Sequence, residues 1–152
     1  MLKKSNKKLG ELLLDYGMIS EDQLTRALKI QKKKNKRIGE TLIELKLVNQ
    51  DQINWVLSKQ LDIPYVQIEK EQLDIELIKK FPEYIIVNYS LIPLIEIEGK
   101  AIIAMADPTD NEAIEKINSL HNKNKIDIVF ASFNNIDDIK RHIKTEYPNL
   151  WK

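Results

Sequence analysis

Several features are scarce or absent in this sequence of 152 residues, and each absence excludes a class of protein. Cysteine is absent, which excludes disulfides and thiolate metal sites and favours a cytoplasmic setting. There are only four glycines, and their spacing fits neither the GxxxxGK[ST] phosphate loop nor the GxGxxG dinucleotide motif. The standard ATPase and dinucleotide-binding folds are therefore excluded.

Long hydrophobic runs are missing as well. Eighteen consecutive apolar residues occur nowhere, so we expect no transmembrane segment and no direct membrane insertion. Glu11 and Asp15 interrupt the first apolar stretch and no small-residue cleavage site follows, which argues against a signal peptide. The protein is therefore expected to be cytoplasmic.

Residues that could perform catalysis are scattered. His121 and His142 lack HExxH spacing and lie on predicted charged helices, which indicates solvated side chains. Asp107 stands out with Asp110. It ends a predicted strand before Pro108, and is either a turn residue or a polar contact facing the first half of the chain. Without a catalytic constellation, a metal site or a cofactor motif, the sequence predicts a protein that is not an enzyme.

What the sequence does contain is an internal repeat. Residues 8–31 align without gaps to residues 37–60 across a five-residue spacer, and seven of the 24 paired positions are identical. Most other pairs are conservative, such as Lys8 with Arg37. The repeat predicts two copies of one local structure.

Each copy is predicted to form a short helix, a turn and a longer helix. In the first copy, apolar residues from Leu9 to Tyr16 recur at helical spacing, and Gly17 can close that helix in the left-handed conformation. Lys46 replaces this glycine in the second copy, so that turn must either differ or be strained. The longer helices begin at capping-box pairs, Ser20 with Gln23 and Asn49 with Gln52.

The rest of the chain predicts a small α/β layer. Pro64 opens a short extended stretch, residues 65–68, and a helix is expected over residues 73–80. Next come two strands joined at Glu98-Gly99-Lys100, a helix over 111–122, a strand over 126–131 and a helix over 136–147. The predicted fold class is α+β, with a four-helix tandem-repeat subdomain over residues 1–62 and a small β-β-α-β-α subdomain over residues 63–152.

Charge is divided unevenly between the two halves. Residues 1–60 hold 13 Lys and Arg against 7 Asp and Glu, a balance of +6, while residues 61–152 hold 11 against 16, a balance of −5. The basic excess indicates either solvated lysines or a site for an anion. Each copy places Lys8 or Arg37 just before a glycine at a helix start, where unpaired N–H groups favour an anion. The two copies of the repeat therefore predict two binding sites, each the size of a phosphate group.

The longer helices add apolar and amide groups on one face. The aliphatic positions are Leu24 and Leu28 in the first copy and Ile53 and Leu57 in the second. They are either core residues or surfaces for a planar base. Gln31 and Gln60 end this face, where a recurring polar side chain needs a partner. Together these features fit an anion with two phosphates and two bases.

In order and spacing, KLGELL…G…L…L…Q and RIGETL…I…L…Q resemble the ligand motif of the MshEN-type domain, found at the N-terminus of type II secretion and type IV pilus assembly ATPases. IPYVQI, SLIPLIEIEG and AMADPTDNEAIEKI resemble its second subdomain. The resemblance implies binding of cyclic di-GMP and a protein partner in a secretion or pilus system. It assigns Lys8, Leu9, Gly10, Leu24, Leu28 and Gln31 to one half-site, Arg37, Ile38, Gly39, Ile53, Leu57 and Gln60 to the other, and Glu40 and Asp107 to supporting polar contacts.

Two other functions fit parts of the pattern. A docking module for such a system needs only the fold and no nucleotide, and it stays open as the alternative. DNA binding is disfavoured because the longer helices begin with Glu21-Asp22 and Gln50-Asp51, the wrong charge for approaching phosphates. Lys8 itself departs from the family's arginine, keeping the charge but losing the planar fork.

Overall fold

A computed structural model of the chain describes residues 8–120 and 126–152. The contacts divide the chain into two compact units, residues 1–63 and residues 64–152. The first unit is helical and the second combines helices with a three-stranded sheet. The predicted α+β fold class is therefore confirmed.

Within residues 8–63, the first unit forms four helices, two from each copy of the repeat. They are α1 (Leu9–Asp15), α2 (Glu21–Lys34), α3 (Ile38–Glu44) and α4 (Gln50–Leu61). Both long helices begin with a complete capping box, in which the N-cap side chain accepts a backbone N–H and the glutamine three residues on accepts one in return. The short-then-long helix pattern predicted for each copy is present in both.

The two short helices end in the same hydrogen-bonded turn. The N–H of Gly17 donates to Leu14 and that of Met18 donates to Leu13, and the second copy repeats both bonds from Lys46 and Leu47. Gly17 has φ +72° and Lys46 has φ +59°. Lys46 therefore adopts the left-handed conformation that Gly17 takes in the first copy. The turn is the same in both copies, and its backbone is strained at Lys46 because a lysine replaces the glycine.

Equivalent residues of the two copies form the core of the first unit. Leu13 and Leu42 are fully buried, as are Ala27 and Val56. The helices pack across the copies, α1 against α4 and α2 against α3. Neither copy buries its apolar face alone, so the two depend on each other for a core.

The second unit is a sheet of three strands covered by helices. After a 3-10 turn at Lys70–Gln72 come α5 (Ile75–Lys79), α6 (Glu83–Asn88), β1 (Leu91–Ile97), β2 (Lys100–Met105), α7 (Asn111–Leu120), β3 (Ile126–Phe130) and α8 (Phe133–Glu146). β1 pairs antiparallel with β2, and β2 pairs parallel with β3. The predicted β-β-α-β-α order is present. The last two residues of the helix predicted over 111–122, including His121, lie outside the described part of the chain.

Two features of this unit differ from the prediction. The helix α6 was not predicted, and the helix expected over 73–80 is a 3-10 turn followed by the shorter α5. The hairpin turn consists of Glu98 and Gly99 alone, with φ of +51° and +78°, and Lys100 already belongs to β2. Positive φ at both positions is the geometry of a two-residue turn that matches strand twist.

A buried amide ties the start of the second unit to α8. The Asn135 side chain accepts the N–H of Ile68 at 2.7 Å and donates to the carbonyl of Ile68 at 3.1 Å. Beside it, the Pro64 carbonyl and the Val66 N–H bond to the backbone of Phe130 at the end of β3. Residues 65–68, which were predicted to be extended, thus begin beside β3, where Tyr65 forms an isolated parallel bridge with Phe130.

Among the described residues, no helix is long and apolar enough to cross a membrane.

Candidate functional site

The two basic residues that open the motifs occupy matching positions. Lys8 is the N-cap of α1, with φ −72° and ψ 156°, and Arg37 is the N-cap of α3, with φ −73° and ψ 151°. Neither makes a side-chain cap hydrogen bond, and both are exposed. Their charged groups are therefore available at the first turn of each short helix.

The motif glycines lie where a helix of the same copy passes close by. A Cβ atom added at Gly10 would stand 2.7 Å from Cδ1 of Leu24, and one added at Gly39 would stand 3.3 Å from Cδ1 of Ile53. The glycines thus have a packing role that the sequence did not reveal, because they admit an aliphatic side chain of the longer helix. Their predicted second role, leaving room for an anion, stays a prediction.

The two helix starts also meet across the copies. The Cδ2 atom of Leu9 lies 3.4 Å from where a Cβ of Gly39 would be, so the first residue of α1 packs on the second residue of α3. Ile38 and Glu40 flank this contact, half-buried and exposed respectively. The structure therefore brings the openings of both motifs to one place in the first unit.

The aliphatic residues of the longer helices differ in exposure between the copies. Leu28 is 42% exposed and Leu24 is half-buried, whereas Ile53 is only 4% exposed and Leu57 is half-buried. Gln31 and Gln60 are both half-buried. The first copy therefore presents more apolar surface than the second, an inequality that the aligned sequences did not predict.

Asp107, in the second unit, has a local partner. Its Oδ1 atom accepts the backbone N–H of Thr109 at 3.0 Å and the hydroxyl of Thr109 at 2.6 Å. Asp110 caps α7 by accepting the N–H of Ala113 at 3.1 Å. Asp107 is thus a turn residue, one of its two predicted roles. The ligand contact predicted for it stays a prediction.

A pocket of about 310 Å³ adjoins Asp107 and is partly lined by Ser90 and Phe133. Tyr89 lines it too, and its hydroxyl donates to Glu112 at 2.8 Å. That bond to a carboxylate raises the pKa of Tyr89 to about 12. Tyr89 is therefore a neutral hydrogen-bond donor over the physiological pH range.

One surface feature of the first unit was not singled out from the sequence. Tyr16 and Trp55 form an edge-to-face pair with ring centroids 4.9 Å apart, and Lys59 lies 5.3 Å from the Trp55 ring centroid. The equivalent positions of the other copy are Leu45 and Arg26. Only the pairing of α1 with α4 across the copies brings the two rings together, so neither copy's own sequence could indicate it.

Across the described parts of the chain, no group of three or more acidic or histidine side chains is placed to hold a metal ion.

Comparison with known proteins identifies the family. The family model for the MshEN domain matches residues 61–144, just over half of the chain. This chain belongs to the MshEN family. The structure of MshE with cdg, cyclic di-GMP, is similar over 90% of this chain and 99% of that one, with a TM-score of 0.72 and 30% sequence identity. The resemblance predicted from the sequence is confirmed.

Two further relatives extend the comparison. The structure of the N-terminal domain of XpsE matches 91% of this MshEN chain and 95% of its own, with a TM-score of 0.54 and 19% identity, which shows the shared fold. The type IV pilus assembly ATPase PilB of Myxococcus xanthus is 27% identical over 143 residues, 94% of this chain. The chain spans only 25% of the length of PilB.

The family match lies almost wholly in the second unit, whereas the tandem motifs precede it. The first unit is compared with known proteins through the alignments with MshE and PilB, which cover 90% and 94% of the chain.

Proposed function

We propose that this MshEN chain binds cyclic di-GMP through its two tandem motifs, residues 8–31 and 37–60. Binding of the ligand is then signalled to a protein partner, and no reaction is catalysed. The observation that carries the proposal is the meeting of the two motif openings, where Leu9 lies against Gly39. Two copies of one motif thereby face one ligand, and cyclic di-GMP is itself two-fold, with two phosphates and two guanines.

The charge at these openings suits the phosphates. Lys8 and Arg37 are exposed N-cap residues without a side-chain cap bond, next to backbone N–H groups that carry partial positive charge. Glu40 in the first turn of α3 is also exposed and supplies an acceptor for a guanine edge. Asp107 belongs to the second unit and accepts both bonds from Thr109 through Oδ1, and its contact with the ligand stays a prediction.

The longer helices supply apolar surface and amides for the bases. Leu28 is exposed and Leu24 half-buried in the first half-site, and Leu57 is half-buried in the second. Gln31 and Gln60 follow one helical turn after Leu28 and Leu57, close enough to pair with a polar base edge. MshE, solved with cyclic di-GMP, supports the same ligand class here because its structure matches across nearly its whole length.

Titration calorimetry with cyclic di-GMP tests the proposal. Arg37→Ala should weaken binding by about 1.5 to 3 kcal/mol, because a charged hydrogen bond to a phosphate is lost. Arg26→Ala, at another exposed arginine of the first unit, removes the same charge outside the predicted site and should bind normally. Urea unfolding of both variants should match the parent within about 0.5 kcal/mol, as expected for surface changes.

The outcomes separate the alternatives. Equal loss of affinity in both arginine variants would mean a non-specific charge effect. No heat at ligand concentrations of tens of micromolar, roughly the weak edge of useful affinity, would favour the docking module that binds no nucleotide. Equal loss of stability and affinity in Arg37→Ala would make Arg37 a structural residue.

A further inference from the structure

The second unit contains a groove that the proposed ligand site does not use. It has a volume of about 620 Å³ and lies between α6 and the C-terminal part of α8 with the residues that follow. Ile86 and Ile143 line it and are 3% and 2% exposed. Trp151, also in the lining, donates its indole N–H to the carbonyl of Phe81 at 2.8 Å, which fixes this wall. The groove is therefore preformed.

Two apolar side chains of this groove remain in contact with solvent. Val87 is 62% exposed on α6, and Tyr147 is 40% exposed just after α8. Pro148 continues the apolar lining. Exposed apolar groups gathered around a concavity mark surfaces that are covered when a partner binds.

The rim of the groove is basic, although this half of the chain is acidic. Four cationic side chains line it, Lys140, Arg141, Lys144 and Lys152, against one carboxylate, Glu83. Residues 61–152 as a whole carry 11 basic and 16 acidic side chains, a balance of −5. A positive rim on this background indicates recognition of negative charge.

The four cations are not equally available. Lys140 donates to the carbonyl of Tyr89 at 2.7 Å, and its partial burial lowers its pKa. Arg141 pairs with Asp137 at 3.4 Å and with Asp138 on its own helix. Lys144 and Lys152 have no ion-pair partner within residues 8–120 and 126–152. These two lysines are therefore the cations that a partner can reach without breaking an existing bond.

From this combination we infer that the groove docks an acidic amphipathic helix of a protein partner. Its apolar side chains enter the groove beside Val87 and Tyr147, and its carboxylates pair with Lys144 and Lys152. This is the helix-in-groove mode of recognition, with apolar anchors at successive helical turns. A concave apolar floor below a charged rim suits inserted side chains, whereas a planar anionic membrane surface would leave the floor unfilled. The inference does not depend on nucleotide binding.

A designed peptide tests the inference on the full chain. The probe is a helix of about sixteen residues, roughly four turns, with Leu and Phe at positions i, i+3, i+4 and i+7 and Glu at most others. A peptide of the same composition in scrambled order is its control. In NMR spectra of the ¹⁵N-labelled chain, the helical peptide should shift the amide signals of α6, the end of α8 and residues 147–152. The scrambled peptide should not shift them.

Matched variants localise the binding. Val87→Asp should weaken peptide binding about ten-fold or more, while Phe133→Asp, at a residue that is equally 62% exposed, should not. The double variant Lys144→Glu, Lys152→Glu should also weaken peptide binding. Its control is the double variant Lys70→Glu, Lys79→Glu, which changes the net charge equally at exposed positions and should bind the peptide normally. Amide signals distant from the groove should keep the parent positions in all four, which establishes that each variant is folded.

Three results would overturn the inference. One is no shift at millimolar peptide, and another is equal binding of the helical and scrambled peptides. The third is binding to phosphatidylglycerol vesicles, lost in Val87→Asp and in the lysine double variant, without binding of the peptide. That result would assign the groove to a lipid surface.

Discussion

The two copies of the repeat have nearly the same backbone but different residues at several positions. Their capping boxes, helix-ending turns and buried leucines correspond one to one. They differ where the first copy has Lys8 and Gly17 and the second has Arg37 and Lys46. The shared positions explain why each copy folds as it does. Of the differing positions, Lys8 and Arg37 make the proposed ligand site unequal in its two halves, and Gly17 and Lys46 affect only the turns.

The two copies also differ in how far their aliphatic side chains are exposed to solvent. In the first copy Leu28 is 42% exposed, but the basic residue proposed to bind a phosphate is Lys8, which lacks the planar fork of arginine. In the second copy the proposed phosphate-binding residue is the bidentate Arg37, but Ile53 is only 4% exposed. Neither half-site has both advantages. In the proposed complex, the first copy would therefore offer more apolar surface to a base, and the second copy would bind its phosphate more strongly.

The largest expected effect tests what the copies share. Leu13→Ala and Leu42→Ala remove equivalent, fully buried side chains, so each should lower the free energy of unfolding by about 2 to 5 kcal/mol through lost burial and a cavity. Urea unfolding followed by circular dichroism measures both. Because α1 packs on α4 and α2 on α3, the two values should agree within roughly 1 kcal/mol, inside the spread of comparable core sites.

A large loss in one variant with little in the other would contradict a shared core. Leu28→Ala is the matched control, because Leu28 is 42% exposed and its truncation should cost much less.

Much of this arrangement could be predicted because it depends on local sequence signals. Capping boxes, helical periodicity and the hairpin glycine act within a few residues, and each was located correctly. The helix α6 was missed because its sequence, EYIIVN, is rich in β-branched residues. A helix is favoured there by Pro82 and Glu83 at its start and by packing against the sheet.

The site contacts that were not predicted depend on tertiary packing. The approach of Leu24 to Gly10, the contact of Leu9 with Gly39 and the pairing of Tyr16 with Trp55 all join separate helices. Aligning the copies reveals equivalent residues but not which helix of one copy packs on which helix of the other. The burial of Ile53 follows from the same packing and could not be read from its repeat partner.

Replacing Lys8 by arginine tests the inequality at the phosphate ligands. Lys8→Arg gives the first copy the planar, bidentate donor that the second already has. Calorimetry with cyclic di-GMP should show binding up to about ten-fold tighter, a gain of about 1.4 kcal/mol. Lys29→Arg, an exposed lysine outside the predicted site, should leave affinity unchanged. Weaker binding by Lys8→Arg would mean that Lys8 has been assigned the wrong role.

A smaller effect concerns the turns that end the short helices. Lys46 adopts φ +59° where Gly17 adopts φ +72°. Lys46→Gly should raise the free energy of unfolding by about 0.5 to 1 kcal/mol by relieving the strained backbone, and Gly17→Lys should lower it by a similar amount. Urea unfolding measures both changes. No Cβ contact lies within 4 Å of Gly17, so a much larger loss would show that more than backbone conformation is involved.

The smallest effect is electrostatic and involves the carboxyl group of Glu44 at the end of α3. A hydrogen bond from Lys36, helped by the charges of Lys36 and Lys34, lowers the pKa of Glu44 below its ordinary value. A carboxyl group whose pKa is lowered on folding stabilises the protein above its unfolded pKa and loses that contribution as the pH falls through its folded pKa. Both partners are well exposed, so the contribution to stability should be small.

Carboxyl NMR titration is the sensitive measurement of this pair. In Lys36→Met the pKa of Glu44 should rise towards its ordinary value, and the difference in stability from the parent should shrink as the pH falls through the titration of Glu44. Lys29→Met removes another exposed lysine of the first unit and should leave the pKa of Glu44 at its value in the parent. If Lys29→Met raises the pKa of Glu44 as much as Lys36→Met does, the lysines act through the field of the whole basic half, and the copies are electrostatically coupled as well as packed together.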